Sequence, residues 1–169
     1  MRDVLLGFHI LCGAAGLVLG PVAMTAPKRR GRHTTAGLAY QAATAGLCAS
    51  AIGLVALKPS LWWLGLIAVG TEAAAAGGWL VQRRRRPGWL PVHVSLMCGS
   101  YVSFVTAFLV VNTGGFVPAW IAPTVIATPL IARAARRVSK DTTNASGVPV
   151  RNVSRSAIWL RRAGATRRW

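Results

Sequence analysis

A basic turn, Lys28-Arg29-Arg30-Gly31-Arg32-His33, separates two long apolar runs of the sequence. Lysine and arginine collect in the cytoplasmic loops of membrane proteins, so the turn predicts on which side of a membrane the neighbouring runs meet. The turn also carries one of the three histidines of the chain. It therefore sets the predicted topology and supplies the first candidate site.

The 169-residue chain is 53% hydrophobic, yet its formal net charge is +17. Its uncharged apolar runs of about 20 residues match a hydrocarbon core ~30 Å thick. Backbone groups in that core must be bonded within the chain, and no alternating strand pattern argues for a barrel. We therefore predict an all-α integral membrane bundle of about five transmembrane helices. Because the basic residues lie where membrane topology would place them, in turns between the runs and in the tail, we predict a lipid partner and no nucleic acid.

Five spans are predicted from the apolar runs. They cover residues 4–24, 35–57, 61–82, 89–111 and 116–132. We interpret the first as a span rather than a signal peptide, because cleavage after Ala26 would place the basic turn outside. The fifth is short and holds three prolines, so we expect it to be kinked. Residues 1–134 form the predicted membrane domain, and residues 135–169 form a basic, flexible cytoplasmic tail.

The distribution of basic residues predicts the orientation. With the N-terminus outside, the inner side holds 18 of the 20 lysines and arginines, and the outer side holds Arg2 and Lys58. This bias predicts an N-out, C-in protein, which we assign to a bacterial inner (plasma) membrane. We expect the arginine clusters to contact anionic lipid headgroups.

The first span carries small residues on one helical face. Gly13, Gly16 and Gly20 recur there together with His9. Such a face is typical of close helix packing, with Gly16 and Gly20 in GxxxG register. A flat ligand in this groove is the alternative, and a homo-oligomer that packs through the three glycines is also possible.

One acidic residue, Glu72, lies near the middle of a predicted span. A charge at the bilayer centre costs about 2.5–3.5 kcal/mol on insertion scales, so it needs a partner or a proton. Glu72 either serves a proton relay or cation site, or is a protonated side chain bonded to Tyr101 or Gln41 for structural reasons. These three residues form the predicted intramembrane polar site.

His33 and His93 are predicted to lie together at the inner edge of the second and fourth spans. Two facing histidines are suited to be axial ligands of a haem whose propionates meet the arginine clusters. They are equally suited to shuttle protons or to bond the backbone at the interface. His9 is the third cofactor-binding candidate. It stands three residues before Cys12, a spacing that suits a soft metal, but a buried cysteine is usually a small hydrophobe, and we predict no metal site.

Catalytic motifs do not stand out in the sequence. It has no Ser-His-Asp arrangement, no phosphate-binding glycine loop and no H-E-x-x-H segment. The catalytic residues are therefore unknown, and enzymatic activity stays open. Three functions remain: a haem or redox module, a small transporter or proton-relay protein, and a structural or partner-binding membrane protein.

Three segments carry a resemblance to a known family. They are Phe8-His9, the basic turn with His33, Gly37 and Tyr40, and the run with His93, Met97, Ser100 and Tyr101. Over residues 5–111 the chain resembles small bacterial predicted membrane proteins known only as a domain of unknown function. Family motifs read His-Arg-x-x-Gly and His-Arg-x-Trp-Met-x-Arg-Ser. The resemblance implies a helical bundle, picks out His9, His33 and His93, and implies no activity.

This chain departs from the family pattern at four positions. Thr34 stands where the first motif has arginine, and Val94, Leu96 and Gly99 replace Arg, Trp and the second Arg of the last motif. If those basic residues serve a site in the family, this protein has lost part of it.

Overall fold

The computed structural model describes residues 1–27 and 31–146, and these ranges consist of helices and their connections, without strands. The helices are α1 (Arg2–Thr25), α2 (Arg32–Leu57), α3 (Trp62–Arg84), α4 (Trp89–Asn112) and α5 (Val117–Ser146), with one 3-10 turn at Pro59–Leu61. These five helices are each long and apolar enough to cross a membrane. The predicted all-α class and the five spans are confirmed. Lys28, Arg29, Arg30 and residues 147–169 lie outside the described ranges.

Proline and glycine end the helices where the sequence predicts turns. Pro27 follows α1, and Gly31 precedes α2 with a φ of 127° that side chains other than glycine rarely adopt. Gly88, with a φ of 74°, plays the same part before α4. The resulting connections are so short that consecutive helices must run antiparallel.

Helices α1 to α4 form an antiparallel bundle, and α5 packs on α4 from outside. Each helix contacts the next along the chain, and α1 also touches α4. Because the helices alternate in direction, three sets of described basic residues reach one end of the bundle: Arg32 at the start of α2, Arg83 to Arg86 between α3 and α4, and the cations in the C-terminal part of α5. This arrangement agrees with the predicted N-out, C-in orientation.

Small residues line the helix interfaces, and large apolar residues face outward. The buried positions of α1 and α3 are Gly16, Gly20, Ala23, Ala68, Thr71, Ala75 and Gly78. Leu66 is 63% exposed, and Ile126 is 64% exposed. Lipid solvates large apolar side chains, so membrane helices use small residues to bring their backbones together.

The glycine face of α1 is filled by side chains of the same chain. A Cβ added at Gly16 would lie 3.0 Å from the Phe104 ring, and one at Gly20 would collide with the Tyr101 ring. The glycines therefore serve packing within the bundle, as the first interpretation predicted. The Phe104 and Tyr101 rings occupy the groove at Gly16 and Gly20. A homo-oligomer through Gly13, Gly16 and Gly20 stays a prediction.

Helix α5 is longer than predicted. It continues past the expected end at residue 132 and through Ser146, so the boundary predicted at residue 134 falls inside a helix. Alanine and arginine after residue 132 are good helix formers, which explains why the backbone has no break there. The predicted flexible tail lies partly in this helix and, from residue 147 onward, outside the described residues.

Candidate functional site

A partly buried polar pair joins α2 to α3 near the middle of the bundle. The side-chain amide of Gln41 donates from Nε2 to Glu72 Oε1 over 2.8 Å. Glu72 is the eleventh of the 23 residues of α3, which places it midway along that helix. Of the two partners that the sequence offered for Glu72, the structure selects Gln41, and the Tyr101 hydroxyl bonds elsewhere.

Two oxygens of this pair, Gln41 Oε1 and Glu72 Oε2, are buried and have no hydrogen-bond partner among the described protein atoms. Both are acceptors when Glu72 is ionised, so neither of these two oxygens then has a donor. A buried acceptor without a partner costs about 1–3 kcal/mol. A proton on Glu72 Oε2 makes that oxygen a donor. Gln41 Oε1, on the amide that already bonds Glu72 through Nε2, is an acceptor for it. The chemistry of the pair therefore suits a bound proton.

A second polar contact crosses the bundle from α2 to α4. The Tyr40 hydroxyl lies 3.0 Å from Ser100 Oγ, and Ser100 donates its own proton to the Met97 carbonyl over 2.8 Å. Tyr40 is therefore the donor in the first bond. Both side chains are buried, and Ser100 has no exposed surface. The sequence picks out both residues through the family resemblance but does not predict that they bond each other.

Tyr101 completes the backbone hydrogen bonding of α1. Its hydroxyl donates to the Leu17 carbonyl over 3.2 Å. In a regular helix that carbonyl would accept from the amide of residue 21, but residue 21 is Pro21, which has no N–H. Tyr101 therefore replaces a bond that the proline removes.

His33 of α2 has the same role for a carbonyl that lies six residues further along α1. Its Nδ1 lies 2.8 Å from the Ala23 carbonyl. The regular helical donor to that carbonyl would be the amide of residue 27, which is Pro27. Because a carbonyl only accepts, His33 Nδ1 carries the proton. The structure thus gives this candidate haem ligand a backbone-bonding role.

His93 is bonded in a similar way to α3. Its Nδ1 lies 2.8 Å from the Gly78 carbonyl, and its ring centroid lies 5.9 Å from that of Trp89. Each of the two inner histidines is thus held by the helix that precedes its own. In both rings Nε2 is the basic nitrogen, and it is the atom that would bind iron if a haem were present.

His9 lies near the opposite end of the bundle. Its Nδ1 lies 3.0 Å from Ser50 Oγ, which itself donates to backbone carbonyls of α2. His9 Nδ1 is therefore the donor. Cys12 is a free thiol that packs against Gly46 of α2. Across residues 1–27 and 31–146 no three His, Cys, Asp or Glu side chains are grouped as metal ligands, so the three histidines do not converge on one metal site.

No protein-family model, curated protein or solved structure matches the chain. The resemblance to the membrane family of unknown function therefore stays a prediction that rests on its motif residues.

Proposed function

We propose that this membrane protein binds and releases a proton at Glu72, as a small proton-relay or proton-coupled transport protein. The observation that carries the proposal is the Gln41–Glu72 pair with its two buried oxygens that lack a donor. An ionisable residue inside a membrane span is expensive and is functional by default. A proton on Glu72 makes the pair neutral and turns Glu72 Oε2 from an acceptor without a partner into a donor.

Gln41 is a suitable partner for a carboxyl group that changes charge. Its Nε2 donates to ionised Glu72, and its Oε1 can accept from protonated Glu72. A lysine or arginine at position 41 would favour the ionised form alone, and a leucine would bond neither form. The amide can therefore hydrogen-bond both the ionised and the protonated form of Glu72, and reversible proton binding requires this.

Titratable and hydroxyl groups lie along α2 on both sides of this pair. His33 lies eight residues toward the inner end of α2 from Gln41, and Ser50, which contacts His9, lies nine residues toward the outer end. At the helical rise these separations are about 12–14 Å. We assign proton entry and exit to His9 and His33, the imidazole groups nearest the two ends of this row.

The first experiment measures the proton itself. Infrared difference spectra of the full chain in lipid, recorded between acidic and alkaline pH, should show the carbonyl band of a protonated carboxyl group. Glu72→Gln should remove that band, and the control Asp141→Asn should keep it. Proteoliposomes with an internal pH dye should then show proton flux that Glu72→Gln reduces at least about a hundredfold, the lower end of the loss expected for a general acid–base group.

Two results would contradict the proposal. One is an unchanged carboxyl band in Glu72→Gln, which would show that Glu72 does not bind the proton. The other is equal proton flux in wild type and Glu72→Gln, which would leave Glu72 with a structural role only.

Haem binding by His33 and His93 is the second candidate function. The specific observation in its favour is that both rings donate from Nδ1 to a backbone carbonyl, the arrangement that metal-bound histidines commonly have. A visible spectrum of protein purified from cells fed a haem precursor tests it. A Soret band that disappears in His33→Ala and His93→Ala would support haem, and a flat spectrum from folded protein would remove it.

A further inference from the structure

The C-terminal part of α5 carries a basic stripe, which we define as Arg133, Arg136, Arg137 and Lys140. The spacing of three and four residues places these side chains on one face of the helix, and all four are exposed. Pro129 and Ala132 lie on the same face of α5 as the basic stripe.

No described acidic residue neutralises the basic stripe. Within residues 1–27 and 31–146 none of its four side chains forms an ion pair, and Asp141, the acidic residue next to it in sequence, is exposed. Arg83 to Arg86 lie at the same end of the bundle and add positive charge. The basic stripe therefore favours the binding of an anion that is not part of the described chain.

The depth of the basic stripe follows from an aromatic contact at the other end of α5. The rings of Trp120 and Trp63 lie 5.2 Å apart, where tryptophans mark the outer interface. Arg133 follows Trp120 by 13 residues and Lys140 by 20, which along a helix is about 20 Å and 30 Å. A hydrocarbon core is ~30 Å thick, so Lys140 reaches the level of the inner headgroups. The three arginines start within the inner half of the core, and their long side chains extend toward the same headgroups.

The part of α5 above the basic stripe suits lipid chains. Ile126 and Leu130 are 64% and 63% exposed, and they precede the stripe on the same helix. A ligand that matches both parts has an anionic head and long apolar tails. We propose that the basic stripe binds the phosphate group of an anionic glycerophospholipid of the inner leaflet, whose chains lie along this apolar part of α5.

The test uses the full chain in a neutral detergent and phosphatidylglycerol as the probe. Native mass spectrometry should show bound phosphatidylglycerol in preference to phosphatidylcholine. Arg136→Gln with Arg137→Gln should weaken this binding about 30-fold, since each basic residue near an anionic surface contributes a factor of about five. The matched control, Arg84→Gln with Arg86→Gln, removes the same charge at the same end of the bundle and should change binding less than about threefold.

Three outcomes would overturn the proposal. Equal losses in the two double variants would show a response to net charge and not to a site. Equal binding of phosphatidylglycerol and phosphatidylcholine would show that the anionic head is not recognised. Competition by inorganic phosphate at the lipid concentration would identify free phosphate as the ligand. Helical circular dichroism checks that both variants are folded.

Discussion

At the scale of single residues, the two proline positions of α1 explain the placement of two candidate site residues. Pro21 and Pro27 leave the carbonyls of Leu17 and Ala23 without their helical donors. Tyr101 and His33 supply those donors from α4 and α2. Membrane helices tolerate proline because neighbouring helices complete the backbone bonding, since lipid cannot. Part of the polarity inside this bundle is therefore structural.

The first prediction concerns the Tyr101 hydroxyl. Tyr101→Phe removes the bond to the Leu17 carbonyl and keeps the ring that packs on Gly20, so we expect a loss of about 1 kcal/mol in the free energy of unfolding. In a Pro21→Ala background the restored amide can bond Leu17, and Tyr101→Phe should then cost less than about half as much. Denaturant unfolding in micelles measures both. An equal cost in the two backgrounds would mean that the proline is not the reason for the bond.

At the scale of helices, contact between α1 and α4 depends on the absence of side chains at two positions of α1. Gly16 and Gly20 are buried against Phe104 and Tyr101, and these contacts bring α4 against the first helix. The α2–α3 contact, which contains the Gln41–Glu72 pair, is a separate interface. A change at Gly20 therefore tests the bundle without touching the proposed proton site.

The second prediction is a pair of glycine substitutions. Gly20→Ala should destabilise the bundle by about 1–3 kcal/mol, because its Cβ would overlap the Tyr101 ring and one of the two must move. Gly70→Ala is the matched control on α3. Its Cβ would meet nothing within 4 Å, so it should be neutral or stabilise by up to about 1 kcal/mol through helix propensity. Thermal unfolding in detergent compares them, and similar effects of the two substitutions would argue against the packing interpretation.

Hydropathy predicted each helix because length and polarity are properties of local sequence. The second predicted span, 35–57, ends at the same residue as α2, Arg32–Leu57. The extension of α5 was missed because hydropathy registers where lipid ends and not where the helix ends. The hydrogen-bond partners of buried side chains do not follow from hydropathy. The choice of Gln41 over Tyr101 for Glu72 depends on which helices are neighbours and how each is rotated, and packing determines both.

At the scale of the whole molecule, charge varies along the bundle axis, and side-chain size varies from the inside of the bundle to its surface. Basic residues lie at one end, and small residues and polar bonds hold the middle. Large apolar side chains cover the outside where lipid would solvate them. The Gln41–Glu72 pair lies midway between a basic end and an end that carries Lys58 as its turn cation. Protons bound there must come from one of these two sides, so the orientation gives the proposed function its direction.

The third prediction is that orientation, N-out and C-in. A phosphatase reporter inserted after Ser60 should be active, because the α2–α3 turn is expected outside, and one inserted after Pro87 should be inactive. A fluorescent reporter that folds only in the cytoplasm should give the opposite pattern at these two sites. Replacing Arg83 to Arg86 by glutamine should then raise phosphatase activity at the second site, because these charges retain the α3–α4 turn on the inner side. If the second site is already the active one, the basic end faces outward and the proposed inner-leaflet lipid site is on the wrong side.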